Sequence, residues 1–188
     1  MEKINAVITG IGGYVPSYIL NNEELSRMVD TNDEWITTRV GIKERRILTE
    51  EGLGSGYLAR KAAKQLVRKT GVDVNTIDCV IVATTTPDYR FPSDASIVIG
   101  KLGMKNAHGF DVSCACCGFL YTVDMASAFI QSGRYKKVMV IAAEKMSSMV
   151  DYQDRQTCVL FGDGAAAVLM EASTEEGVGF QDSFLRTD

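Results

Sequence analysis

The run Asp78-Cys79-Val80-Ile81-Val82-Ala83-Thr84 constrains the fold of this chain more than any other segment. Its apolar residues are nearly continuous, without the alternation of a strand that keeps one face in water. A strand of that kind is covered on both faces, which requires layers packed above and below its sheet. Shorter runs at 6–9, 109–112, 137–142 and 165–170 supply further strands, the first ending in Gly10-Ile11-Gly12-Gly13. Helical patterns fill the intervals. Residues 55–70 set Leu58, Ala62, Leu66 and Val67 on one stripe and stop at Gly71, a fitting C-cap. Residues 93–102 behave similarly, as do 118–132, where Leu120, Val123, Ala126 and Ile130 precede Gly133. Strand and helix in alternation predict an α/β protein, with a mixed or parallel sheet and helices packed on it.

One early segment is built differently. Asn21-Asn22-Glu23-Glu24 and Thr31-Asn32-Asp33-Glu34 each have the spacing of a capping box, a polar cap with Glu three residues on. They predict two short helices, over 22–29 and from 32 to about 39. The second puts Trp35 and Arg39 four residues apart, on one face. An indole and a guanidinium so placed make a stacking surface for a purine, with the cation also facing phosphate. Core filling by Trp35 and a solvated Arg39 are the plainer alternatives.

Composition narrows the function classes. The 188 residues are 46% hydrophobic and 23% charged, as in a soluble globular protein, and the net charge of -4 gives no basic footprint for nucleic acid. No apolar stretch approaches bilayer length, and Met1-Glu2-Lys3-Ile4-Asn5-Ala6-Val7 lacks the features of a secretory signal. The five cysteines are an odd number with three crowded into Cys114-Ala115-Cys116-Cys117, which predicts reduced thiols in a cytoplasmic protein. No metal site is expected. Cys79 and Cys158 are isolated, His108 is the sole histidine, and usual sites need three or four suitably spaced ligands.

The cysteine cluster carries the most chemistry. A strand ends near Val112 and a helix containing Phe119 starts just after. A cysteine at this junction would sit beside the free N–H groups and positive end of a helix, which favour thiolate. A nucleophile on such a turn also gains a backbone N–H for an oxyanion, and Gly118 lets the turn pack closely. Free cysteine is also a common buried small residue, so spacing alone leaves both readings open.

Phe110-Asp111-Val112-Ser113-Cys114-Ala115-Cys116-Cys117-Gly118-Phe119 resembles the active-site segment of the β-ketoacyl-[acyl-carrier-protein] synthase III family, F-D-[LIV]-x-x-A-C-[AS]-G-F. Its alanine falls on Ala115 and its nucleophile on Cys116, while Cys114 and Cys117 stand where the family usually has small residues. Four more segments resemble the family in the same order. They are Gly10 to Pro16, likened to its opening turn, Asp30 to Ile42, Ala83 to Ser93, and Phe161 to Leu169. The resemblance implies a thiolase-like α/β fold, with residues 1–188 as its N-terminal half, of βαβαβ type, and the C-terminal half absent. It implies that Thr31, Trp35 and Arg39 lie at the coenzyme A site, with Arg155 packing on the other side of the adenine. Phe91 matches a residue that closes the partner's acyl pocket across a homodimer interface, though it also reads as an ordinary aromatic at a loop–helix junction. Phe161-Gly162-Asp163-Gly164 reads as a tight glycine turn into the last strand, with a structural role. Lys43, Arg45 and Arg46 form a local basic patch that could meet an acidic carrier protein, or stay solvated.

The implied reaction is a ping-pong condensation. Cys116 takes an acyl group, typically acetyl, from its CoA thioester; malonyl-[acyl-carrier protein] then loses carbon dioxide and attacks the enzyme thioester. Neither a metal nor a redox cofactor is needed, since acyl-CoA is a substrate. The histidine and asparagine that promote decarboxylation would come from a second half, and His108 precedes the strand leading to Cys116, where it reads as structural. Two alternatives remain: another CoA-dependent thiolase-fold acyltransferase, and a non-catalytic subunit that keeps the fold. A dinucleotide-binding module fits less well, because Gly10-Ile11-Gly12-Gly13 is not G-x-G-x-x-G.

Overall fold

Residues 79–83, the heart of the apolar run, form a strand in which every residue is buried. The computed structural model describes residues 4–186. In chain order the strands are β1 (Asn5–Tyr14), β2 (Tyr18–Asn21), β3 (Glu44–Ile47), β4 (Cys79–Ala83), β5 (His108–Val112), β6 (Lys137–Lys145) and β7 (Asp163–Ser173). The helices are α1 (Asn22–Leu25), α2 (Asp33–Val40), α3 (Ser55–Thr70), α4 (Asp94–Leu102) and α5 (Gly118–Gln131). Five strands make one mixed sheet in the order β1-β7-β6-β4-β5, and β2 and β3 pair as a separate ribbon. β4 runs parallel to both β5 and β6, while β7 is antiparallel to β6 and to β1.

The pleat sends alternate residues to opposite faces. Val80, Val82, Met139, Ile141, Ala167 and Leu169 share one apolar cluster with α3 and α4 residues. Cys79, Ile81, Val138, Val140, Val168 and Met170 share the other with Val123, Ala126 and Ile130 of α5. The sheet is thus covered on both faces, as the continuous apolar run of β4 requires. A third cluster, around Leu20, Leu25, Ile36, Ile47, Cys158 and Val159, belongs to the ribbon, α1, α2 and the segment before β7.

Several boundaries differ from the sequence reading. β1 does not end at Thr9 but continues through the glycines to Tyr14, with a register shift between Ile8 and Gly10. Gly10 and Gly12 serve a close approach rather than a turn: a Cβ on Gly12 would stand 2.5 Å from both Ala62 O and Leu66 N of α3. α1 is only one turn long. Past it come turns, with Arg27 N–H donating to Glu24 O and both Met28 N–H and Val29 N–H to Leu25 O, so the regular helix ends at Leu25, short of Val29. Its box is half made, since Asn21 accepts from Glu24 N–H, but the Glu24 carboxylate accepts from the Tyr18 hydroxyl instead.

α2 is capped by Asn32, not Thr31, with the Asn32 side chain accepting from Trp35 N–H at 2.8 Å. On α5, Leu120 is 60% exposed and off the buried stripe. At 3.6 residues per turn it lies about 120° around the helix from Ala126. The segment expected as a tight glycine turn is already strand from Asp163 onward, preceded by irregular turns over 155–160.

Candidate active site

The chain leaves β5 at Val112 and reverses within a few residues. Cys114 has φ −141° and ψ 25°, and Ala115 then takes φ 46°, a left-handed conformation that a residue with a Cβ seldom adopts. Residues Ala115–Cys117 form a single 3₁₀ turn closed by Cys117 N–H donating to Cys114 O at 3.2 Å, and α5 begins at Gly118. Gly118 is buried; a Cβ there would meet the Ala83 side chain at the end of β4 at 3.0 Å. The turn is therefore pressed onto the sheet, with the Cys116 and Cys117 side chains exposed and Cys114 half-buried.

The other two thiols are poor candidates. Burial pushes Cys79 up to about 11, with Asp78 adding to it, and burial also raises Cys158. His108 sits at the start of β5, four residues before Val112, or about 13 Å at strand rise. Its Nε2 lies 3.2 Å from the Tyr135 hydroxyl, a surface contact remote from the elbow.

β4, β5 and β6 run parallel, so their C-terminal ends open on one side, where ligands of α/β sheets bind. Two carboxylates not anticipated from sequence organise this rim. Glu144 near the end of β6 accepts from Thr85 N–H at 2.7 Å, Thr85 Oγ1 at 3.0 Å and Thr86 Oγ1 at 2.6 Å. Asp111 accepts from Asp94 N–H at 2.7 Å and Ala95 N–H at 2.9 Å, tying β5 to the first turn of α4. Asp163 has the structural part expected of its segment, accepting from Leu48 N–H and from Ser147 N–H, both at 2.8 Å.

A second centre forms on α2. The Arg39 guanidinium carbon stands 4.3 Å from the centre of the Trp35 ring and that of Arg155 stands 5.0 Å from it. The structure thus brings together three of the residues expected at a nucleotide site. It places Arg155 directly on the indole, however, not across a base-wide gap. A ring held between them needs about 7 Å, two van der Waals contacts. Asp30 causes the closer approach: its carbonyl accepts from Arg155 Nη1 at 3.1 Å and its carboxylate lies 3.7 Å away. Thr31 is adjacent, and its Oγ1 is buried without a hydrogen-bond partner. Asn22, then Lys43, holds the Asp33 carboxyl below its ordinary range.

The expected basic patch does not exist as such. Lys43 pairs with Asp33 at 3.4 Å and Arg46 with Glu44 at 3.3 Å. Arg45 is buried and donates to Val159 O and Asn22 Oδ1, because its strand position points inward. Phe91 lies on the loop between β4 and α4 with its side chain 89% exposed and joins none of the apolar clusters. Among the described residues, no group of three or more His, Cys, Asp or Glu is placed to hold a metal ion, and no helix is long and apolar enough to cross a membrane.

Comparison with known proteins meets this geometry. Residues 110–188 match the sequence model of 3-oxoacyl-[acyl-carrier-protein (ACP)] synthase III. The whole chain is 69% identical to the β-ketoacyl-[acyl-carrier-protein] synthase III 2 of Bacteroides thetaiotaomicron, covering 56% of that protein. The fold superposes on the crystal structure of 3-oxoacyl-[acyl-carrier-protein] synthase III from Aquifex aeolicus with a TM-score of 0.87 at 50% identity, over 91% of this chain and 55% of that one. It is also similar to the priming β-ketosynthase of the R1128 polyketide biosynthetic pathway, with a TM-score of 0.88 at 35% identity, over 93% of this chain and 52% of that one. The chain thus spans a little over half the length of the proteins it matches.

Proposed function

This chain belongs to the 3-oxoacyl-[acyl-carrier-protein] synthase III family, and from that premise we propose that it carries the acyl-accepting part of a decarboxylating condensing enzyme that starts fatty-acid synthesis. One observation carries the reading: Cys116 stands exposed on a strained strand-to-helix turn at the C-terminal ends of the parallel strands. Its thiolate attacks the carbonyl carbon of an acyl-CoA, typically acetyl-CoA. The tetrahedral adduct collapses with loss of the CoA thiol, leaving the acyl group on sulfur. The backbone N–H of Cys116 is the local donor available to the oxyanion, since those of Cys117 and Gly118 are given to Cys114 O and Ala115 O.

Thr31, Trp35, Arg39 and Arg155 hold the nucleotide end of CoA in this scheme. The indole stacks on adenine while the guanidinium groups face phosphate. For adenine to enter beside Trp35, Arg155 swings off the ring and leaves Asp30. In the second half-reaction malonyl-[acyl-carrier protein] loses carbon dioxide, and its carbanion attacks the enzyme thioester to give a 3-ketoacyl-[acyl-carrier protein]. His108 has no part in that step in this scheme, in which the family resemblance assigns the groups that promote decarboxylation to a second half of the fold. We further assign a cytoplasmic location and a homodimer in which Phe91 closes the partner's acyl pocket. Its exposure supports that role.

A second reading keeps Cys116 and the CoA site but changes the extender, as in other CoA-dependent thiolase-fold acyltransferases. The likeness to a priming β-ketosynthase of a polyketide pathway favours keeping it. The experiment that tests the shared step is intact-mass measurement after incubation with acetyl-CoA, with Cys116→Ser alongside. A single acetyl adduct, absent from the variant, is the expected result; an adduct that survives the substitution refutes Cys116 as acceptor. Extension with malonyl-carrier against malonyl-CoA then separates the two readings.

A further inference from the structure

Acyl transfer at Cys116 leaves its two neighbours unexplained. Cys114 and Cys117 flank it in the order Cys-x-x-Cys, and both are free thiols in this structure. The fold sets them at the ends of one hydrogen-bonded turn, since Cys117 N–H donates to Cys114 O at 3.2 Å. Residues related in this way have Cα atoms less than about 7 Å apart. A disulfide spans Cα separations of about 4.4–6.8 Å. Cys114 is half-buried and Cys117 exposed, so Cys117 is the thiol more open to a disulfide in solvent. The other two thiols are out of reach, Cys79 within β4 and Cys158 in the third apolar cluster.

We propose that Cys114 and Cys117 are a dithiol–disulfide couple that closes across the turn bearing Cys116, oxidised by low-molecular-weight disulfides and reopened by dithiols. The Cys117 thiolate attacks one sulfur of the small disulfide, forming a mixed disulfide and releasing one thiol. The Cys114 sulfur gives up its proton and attacks Cys117, releasing the second thiol. The protein thereby loses two protons and two electrons, which the small disulfide takes up as it becomes two thiols. A Cys-x-x-Cys pair beside an α/β strand is a redox motif in a reducing compartment, where disulfides are exchangeable and not structural. The closed ring fixes the left-handed Ala115 and leaves Cys116 as a free thiol at the tip.

The chemistry is independent of the acyl transfer proposed above, and the test keeps the two apart. The intact protein is equilibrated against oxidised and reduced glutathione in graded ratios. Free thiols are blocked with iodoacetamide, and after reduction the released thiols are labelled with N-ethylmaleimide and located by fragmentation. Under oxidising ratios the expected result is loss of two hydrogens from the intact mass, maleimide on Cys114 and Cys117, and carbamidomethyl on Cys116. Cys116→Ser loses its acetyl adduct yet closes the same bond; Cys114→Ser and Cys117→Ser each stop at a glutathione adduct or stay reduced. A bond that includes Cys116, or a wild-type pair that remains open or glutathionylated across the whole series, overturns the couple. Circular dichroism of each variant confirms that it is folded.

Discussion

Replacing Arg45 by Met should loosen the corner around Trp35 without touching Cys116, Trp35, Arg39 or Arg155. The Arg45 Nε and Nη2 atoms donate to Val159 O at 3.0 and 2.6 Å, and Nη1 donates to Asn22 Oδ1 at 2.6 Å. Both acceptors belong to buried residues, and Arg45 itself is 3% exposed. Met keeps much of the volume but removes all three bonds. Each acceptor left unsatisfied costs about 1–3 kcal/mol. Part of this is offset, because a guanidinium buried without a carboxylate partner, whose pKa burial lowers, no longer has to be desolvated. A net loss of about 3 kcal/mol follows, which for a chain of this size is roughly 6–12 °C in melting temperature.

The assay uses the sole tryptophan as a local reporter. Trp35 packs against the cluster that contains Val159, so its fluorescence follows this corner in a urea titration, while far-UV circular dichroism follows the sheet. In Arg45→Met the fluorescence transition should move to lower urea. Arg45→Lys, which can satisfy fewer of the acceptors, should fall between. A fluorescence midpoint for Arg45→Met unchanged from wild type would refute the argument that these bonds hold the segment before β7 to α1.

Three further outcomes are expected. Gly12→Ala forces the α3 backbone outward and should cost roughly 2–3 kcal/mol by denaturant titration; a neutral effect would mean that helix and strand separate freely. Asp94 is fully buried, and burial raises its carboxyl to about 6, with Asp88 and Asp111 adding to it while a hydrogen bond from Ser55 opposes it. A raised folded pKa favours the native state below the unfolded value and loses that contribution as pH rises through about 6. Relative to Asp94→Asn, wild type should therefore lose stability between about pH 4 and 6, and parallel curves for the two proteins would contradict this. Ellman's reagent should count two fast thiols and a slower third in the native protein, with Cys79 and Cys158 reacting only after unfolding; five fast thiols would show the core open.

What could be read from sequence divides along physical lines. The strand interiors and α3 were legible because burial on both faces, or on one stripe, writes itself as a period, and Gly71 marks the stop of α3 with φ 70°. The elbow was legible as a strand–helix junction. Gly10 and Gly12 were not, since glycine marks a turn and a close tertiary approach alike, and only α3 lying across β1 distinguishes them. The patch of Lys43, Arg45 and Arg46 failed for a related reason: charge in sequence says nothing of the inward direction of Arg45 or of the partners Asp33 and Glu44. Glu144 and Asp111 carry no local signal. Their partners, at Thr85–Thr86 and Asp94–Ala95, are distant along the chain for Glu144 and across a parallel connection for Asp111.

The strand order also sets a timetable. β7 lies between β6 and β1, so β1 finds its partner only when a strand more than 150 residues further along is available, Asn5 opposite Ser173. Closing so long a loop costs about 4–5 kcal/mol in chain entropy before any pairing repays it. During synthesis β4, β5 and β6 can assemble with α3, α4 and α5 as each emerges, while β1 waits with its ladder groups open. Folding is then expected to pass through a parallel core that the arrival of β7 completes, with β1 added in the same event.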